Sequence, residues 1–237
     1  MTIEISRLTL RPPPSGLRFA YESLCWGTHV SFWEQSWTIV QRIDRDNFGL
    51  CLDTFNIAGR VYADPARPSG RTPDADAAMA ASIARLVAQV DVRKVFYVEV
   101  VDAERLQHHL TPAHPFYDAA QPARMSWSRN CRLFYGEADR GAYLPVRAIS
   151  AALLQRPGSG GLGFEGWVSF ELFNRSLVDP AEDTPRLHAA RGAESWRALQ
   201  RDVEFEVRVA ETQRMPVVKR ISLGFDEKTC WPIKGAS

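Results

Sequence analysis

The chain has 237 residues, of which 45% are hydrophobic, 11% aromatic and 24% charged, a composition that supports a buried core and excludes a disordered chain. Lys plus Arg number 29 against 28 Asp plus Glu, a formal net charge of +1, so no basic footprint points to nucleic acid or an anionic membrane as partner. Cys25, Cys51, Cys131 and Cys230 stand far apart with no CxxC spacing, which argues against a zinc knuckle or a disulfide scaffold and for a reducing, cytoplasmic setting.

Residues 1–10 read as a short strand with no basic-then-apolar leader pattern, and Pro12, Pro13 and Pro14 followed by Ser15 and Gly16 form a stiff boundary. No window of the chain nears the roughly 18 apolar residues of a membrane span. Leu17 to Glu22 is the next strand candidate, and beyond the loop CWGTH the residues Phe32, Trp33, Trp37, Val40 and Ile43 recur at helical spacing. Phe48 to Asp53 repeats the strand reading. A Pro- and Gly-bearing loop from Ile57 to Pro73 then leads into a helix marked by Met79, Ile83, Leu86, Val87 and Val90. Lys94 to Val101 is the clearest strand, rich in β-branched and aromatic residues. An irregular stretch from His108 to Arg140 precedes a helix opened by Pro145, with Val146, Ile149, Leu153 and Leu154 on one face. Gly166 to Phe173 is a fourth strand and 188–203 a fourth helix. Strands separated by helices imply parallel pairing, so the fold class is α/β with four βα units. The tail, 204–237, carries no motif, and residues 1–15 also fall outside the βα pattern.

Each strand candidate carries an acid at or near its end: Glu22, Asp53, Glu99 and Glu171. A carboxylate in an otherwise apolar strand costs several kcal/mol unless it is paired or bound to a cation. In any single strand an arginine partner is a sufficient explanation. Four parallel strands, however, bring all four acids to one end of a sheet, where α/β proteins place their active sites. Mutual repulsion there calls for a cation, and oxygen-only ligation suits a hard divalent ion such as Mg²⁺ or Mn²⁺. Nucleotide cofactors are not expected: no GxGxxG or GxxxxGK[ST] stretch occurs, and GSGGLGF lies before a strand rather than after one.

The stretches AYESLCWGTHVSFWEQSW, NFGLCLDTFNIAGR, VFYVEVVDAERL, ARMSWSRNCRLFYGE and GWVSFELFNRS together resemble the fungal 3-dehydroshikimate dehydratases, members of the xylose isomerase-like TIM barrels. The resemblance covers about residues 17–200 and begins at the strand of the first metal ligand. It implies the C-terminal half of a (β/α)8 barrel spanning 16–203. It also implies dehydration of 3-dehydroshikimate to protocatechuate in quinate and shikimate catabolism, with a divalent metal ion (Mg, Mn or Co) held by Glu22, Asp53, Glu99 and Glu171. Two positions depart from the family: Glu99 stands where glutamine is usual, and Asn56 where bacterial relatives carry a histidine. Asn56 is then expected to orient substrate.

His29, in the loop after the first metal-bearing strand, is the candidate for proton transfer, since imidazole titrates near neutrality; His108, His109, His114 and His188 have weaker claims. The substrate implied is a small carboxylate, and arginine reads that group bidentately. Arg132 matches a substrate-binding arginine in the resemblance, with Ser128 four residues before it as hydroxyl partner and Arg60 as a second candidate. A sugar isomerase or epimerase of the same superfamily, or an inactive barrel fragment, are the competing readings. Four parallel strands do not close a barrel. The sheet edges are therefore expected to be covered by the N-terminal segment, the tail or a second copy of the chain.

Overall fold

The computed structural model describes residues 17–205. It contains strands β1 (Phe19–Tyr21), β2 (Phe48–Asp53), β3 (Val95–Glu99), β4 (Asp102–Ala103), β5 (Arg132–Leu133) and β6 (Trp167–Ser169). Its helices are α1 (Trp33–Ile43), α2 (Thr54–Val61), α3 (Ala75–Gln89), α4 (Ala123–Cys131), α5 (Val146–Leu154) and α6 (Thr184–Val203). Four strands pair in parallel in the order β1-β2-β3-β6, and β4 and β5 form a small antiparallel pair. Order in space follows order along the chain, as in one wall of a barrel; a doubly wound sheet reverses at a switch point.

β2 is an inner strand, and all six of its residues are buried, which matches its unbroken apolar run better than a half-exposed alternation would. Its Gly49 is required by crowding: a Cβ there would stand 2.3 Å from the carbonyl oxygen of Lys94. Register sets Asp53 level with Glu99, and Glu99 in turn with Ser169. Thr54 locks the ends of β2 and β3 together, its hydroxyl donating to the Val101 carbonyl at 2.8 Å and accepting from the Val101 N–H at 2.8 Å. The helices form a layer in which α2 packs on α3 and α5, α3 on α5, and α5 on α6. In α1 the buried Trp33, Trp37 and Val40 supply the inward stripe, and the Trp33 Nε1–H donates to Ser82 Oγ of α3 at 2.9 Å. Val40, Leu50, Val98, Ile149 and Leu153 are fully buried, each stabilising by about 1.5–3 kcal/mol.

The four βα units appear in the expected order, with corrections in detail. Residues 57–61, assigned to the loop that runs from Ile57 to Pro73, belong with 54–56 to α2, because the Asp53 carboxylate caps it by accepting from Phe55 N at 2.6 Å. Within the stretch read as irregular, α4 forms although it has no leucine stripe: it buries Ser126, Trp127, Ser128 and Cys131. The last strand is shorter than expected, ending at Ser169; residues 170–173 leave the sheet as Arg132 N donates to the Phe173 carbonyl at 3.1 Å. The helix assigned from His188 begins at Thr184, with Pro185 in its first turn. The strand expected at 1–10 and nearly all of the tail lie outside the described residues. Among those residues the outer edges of β1 and β6 pair with no strand, and Trp167 on β6 is 80% exposed.

Asp102 organises the segment between β3 and α5. Its Oδ1 accepts from the backbone N–H groups of Ala103, Leu144 and Tyr143 at 2.7, 3.0 and 3.1 Å. Burial outweighs those donors and pushes its carboxyl up to about 7 from an ordinary 3.8. Because the folded value is the higher one, Asp102's contribution to stability is complete below about pH 4 and is lost as pH rises toward 7. Asp102→Asn keeps the three acceptor contacts and removes the ionisation. Its melting temperature relative to wild type is therefore expected to improve steadily from pH 4 to pH 8, whereas a pH-independent difference would exclude this titration. Asp102→Ala strands three donors and is expected to cost about 2–4 kcal/mol near pH 4, a cost that shrinks toward pH 8 as the wild type loses Asp102's contribution.

Candidate metal centre

The parallel register brings the four strand-end acids together. Asp53 ends β2, Glu99 ends β3, Glu22 follows β1 and Glu171 lies in the segment that leaves β6. One carboxylate oxygen from each of Asp53, Glu99 and Glu171 lies within 4.8 Å of the others. Glu22 joins them through Asn56, whose Nδ2 donates to Glu22 Oε1 at 2.6 Å and to Asp53 Oδ2 at 3.0 Å. The Asn56 carbonyl oxygen accepts from Cys25 N at 3.0 Å, which fixes the amide orientation.

Arg132 enters this cluster from β5. Its Nη1 donates to Glu171 Oε2 at 2.8 Å and to Asp53 Oδ2 at 2.9 Å, and its Nε donates to Ser128 Oγ at 3.0 Å. The residue is 1% exposed, with its guanidinium over the rings of Phe55 at 4.4 Å and Phe173 at 5.3 Å. The pairing of Arg132 with Ser128 follows from one turn of helix between them. Its pairing with two acids of the cluster was not legible in the chain, because Asp53 and Glu171 are 79 and 39 residues away.

One guanidinium against four carboxylates leaves the site electronegative. Burial, then the charges of Asp53 and Glu99, push the Glu22 carboxyl up to about 8. Burial, then Asp53 and Glu171, push Glu99 up to about 7. Asp53 and Glu171 are also raised, in each case by burial and against the pull of Arg132. Glu99 Oε2 is buried with no hydrogen-bond partner among the described residues. An oxygen donor set with excess negative charge and an orphaned carboxylate oxygen fits a divalent cation, and Glu22, Asp53, Glu99 and Glu171 are the residues able to hold it.

The other predicted residues fall as follows. His29 is exposed, in the β1–α1 loop that opens from Glu22. Arg60, in the last turn of α2, lays its guanidinium over Phe32 at 4.9 Å and is not drawn into the carboxylate cluster. His188 bonds Ser176 Oγ at 2.9 Å and the Thr184 carbonyl at 2.8 Å, a role in holding α6. His108, His109 and His114 line a hollow of about 550 Å³ with Phe116 and Arg175, apart from the acids. One residue of the site was overlooked: Cys51 Sγ lies within 4.8 Å of carboxylate oxygens of Glu22 and Glu99. Strand alternation contained the signal, since Cys51 and Asp53 are two apart and share a face.

A parallel sheet in chain order with acids gathered at its C-terminal end defines the barrel class of α/β proteins with a polar mouth. The chain belongs to the xylose isomerase-like TIM barrel family, which residues 9–199 match. It is 61% identical over 195 residues to the 3-dehydroshikimate dehydratase of Neurospora crassa, a match covering 82% of this chain and 52% of that protein. It is 28% identical over 173 residues to the 3-dehydroshikimate dehydratase of Pseudomonas aeruginosa, covering 72% of this chain and 20% of that one. The chain thus spans about half the length of the fungal relative and a fifth of the bacterial one. Among solved structures, a xylose isomerase-like TIM barrel/4-hydroxyphenylpyruvate dioxygenase fusion protein superposes with a TM-score of 0.54 at 26% identity, over 79% of this chain and 23% of that one. The IOLI protein, solved with a bound zinc atom, superposes with a TM-score of 0.51 at 18% identity, over 87% of this chain and 56% of that one.

Proposed function

We propose that this chain carries the metal-binding half of a 3-dehydroshikimate dehydratase, a lyase that removes water from 3-dehydroshikimate to give protocatechuate. The observation that carries this reading is the meeting of Glu22, Asp53, Glu99 and Glu171 around Arg132 in a chain 61% identical, over 195 residues, to the Neurospora relative named for that reaction. The four acids hold a divalent ion of the Mg, Mn, Co or Zn kind; a zinc-bound protein of the same fold is in keeping with this. A bound ion supplies electrophilic polarisation of the substrate ketone.

The chain's own residues do the rest. Asn56 and Arg132 hold the carboxylates in register by hydrogen bonds to Glu22, Asp53 and Glu171. Arg132, backed by Ser128, is the cation assigned to the substrate carboxylate, with Arg60 as the second candidate. His29, exposed on the β1–α1 loop, moves the proton between substrate and solvent. The free thiols Cys25, Cys51 and Cys131 accord with a cytoplasmic setting, and among the described residues no helix is long and apolar enough to cross a membrane. A second copy of the chain is the cover proposed for the edges of β1 and β6.

The test is ultraviolet detection of protocatechuate when the purified chain, loaded with Mg²⁺, Mn²⁺ or Co²⁺, is given 3-dehydroshikimate. Product is expected, and a chelator should stop its formation. Folded, metal-loaded protein that yields none overturns the reading.

A further inference from the structure

Cys51 lies on β2 two residues before Asp53 and faces the same side of the strand. Its Sγ and carboxylate oxygens of Glu22 and Glu99 lie within 4.8 Å of one another, as do those of Asp53, Glu99 and Glu171, so Glu99 belongs to both groups. Glu99 is 9% exposed, and its Oε2 is buried without a hydrogen-bond partner among the described residues. A carboxylate oxygen left bare at that depth is costly unless a cation meets it.

We propose that Glu22, Cys51 and Glu99 form a second metal position, taken by a thiophilic divalent ion of the zinc class; when both positions are filled Glu22 passes from the four-acid ion to the second one, and Glu99 bridges it to the ion kept by Asp53, Glu99 and Glu171. The proposal rests on the metal-site reading above and extends it. Charge supports two ions. Arg132 and one divalent ion leave the four carboxylates with one negative charge uncompensated. A second divalent ion, bound as the Cys51 proton passes to solvent, brings the site to neutrality, because a coordinated thiol is deprotonated. Geometry is close to what is required: ligand atoms at about 2.0–2.3 Å from a tetrahedral zinc stand roughly 3.5 Å apart, and these lie within 4.8 Å, so the triad closes by about 1.3 Å at most. A thiolate ligand favours zinc, cobalt or cadmium over magnesium, which the all-oxygen position accepts.

Cobalt(II) titration of the full chain tests this, with bound metal counted and the near-ultraviolet thiolate-to-cobalt charge-transfer band followed. Wild type is expected to bind two equivalents, the band growing with one of them. Cys51→Ser is expected to lose the band and one equivalent while keeping the other. One equivalent without a band in wild type, or a band of full intensity in Cys51→Ser, overturns the second position and leaves the acid site standing. No bound cobalt at all overturns both readings. Cadmium-113 NMR of the wild-type chain decides without any variant: a resonance at a thiolate-bound shift supports the proposal, and only all-oxygen shifts overturn it.

Discussion

Asp53→Asn is expected to remove divalent-ion binding and turnover together, with the largest loss of any single amide substitution among the four acids. Its carboxylate has two separate duties. Oδ1 caps α2 through Phe55 N at 2.6 Å, while Oδ2 accepts from Arg132 Nη1 at 2.9 Å and Asn56 Nδ2 at 3.0 Å. An asparagine keeps the cap but places an N–H₂ against two donors, and it leaves Arg132 with Glu171 as its sole anion. Breaking one side of a buried ion pair costs about 3–5 kcal/mol. Partners that merely orient a metal ligand are worth about 10–100-fold in metal affinity, so loss of a ligand itself is expected to exceed ~100-fold. Calorimetric titration with Mn²⁺ and a thermal melt measure the two effects separately. Wild-type affinity in the variant would take Asp53 out of the ligand set.

Arg132→Met tests the opposite partner. The methionine fills part of the space between Phe55 and Phe173 but cannot answer Asp53 and Glu171, whose charges then stand unopposed. A loss of about 3–5 kcal/mol is expected in metal-free protein, measured by denaturant unfolding. Saturating divalent ion should return a larger share of stability to this variant than to wild type, because the ion takes over the neutralising role of the guanidinium. Under the proposed function turnover should stay low even when the metal is restored, since Arg132 is the cation assigned there to the substrate carboxylate. Equal stabilisation of both proteins by metal would mean that Arg132 and the ion do not share the same carboxylates.

Much of this site was readable along the chain. The acids at Glu22, Asp53, Glu99 and Glu171 are conspicuous because each interrupts or closes an apolar strand, and the four-residue step from Ser128 to Arg132 is one helical turn. Two elements were not readable, for different reasons. The helix α4 hides serines, a tryptophan and a cysteine where a periodicity search looks for aliphatic residues. The helix α2 is buried nearly all round, from Thr54 to Gly59, so it offers no polar face to set its period. Asn56 illustrates the limit for roles. An orienting function was expected, and its amide does orient, but what it holds is Glu22 and Asp53.

The alternation of apolar runs with helical stripes was sufficient for the parallel α/β class, since a parallel crossover needs a helix-length connection, and it was sufficient to put the acids at one end of the sheet. Local periodicity is a property of neighbouring residues, so those conclusions required nothing distant. The charge balance of the site is another matter. Arg132 meets Asp53 and Glu171 only because β5 pairs with β4, which follows β3 in the chain, and Cys51 joins Glu22 and Glu99 only because register aligns three strands. Such contacts depend on pairing across 30 to 80 residues, where burial and register act and sequence spacing carries no information.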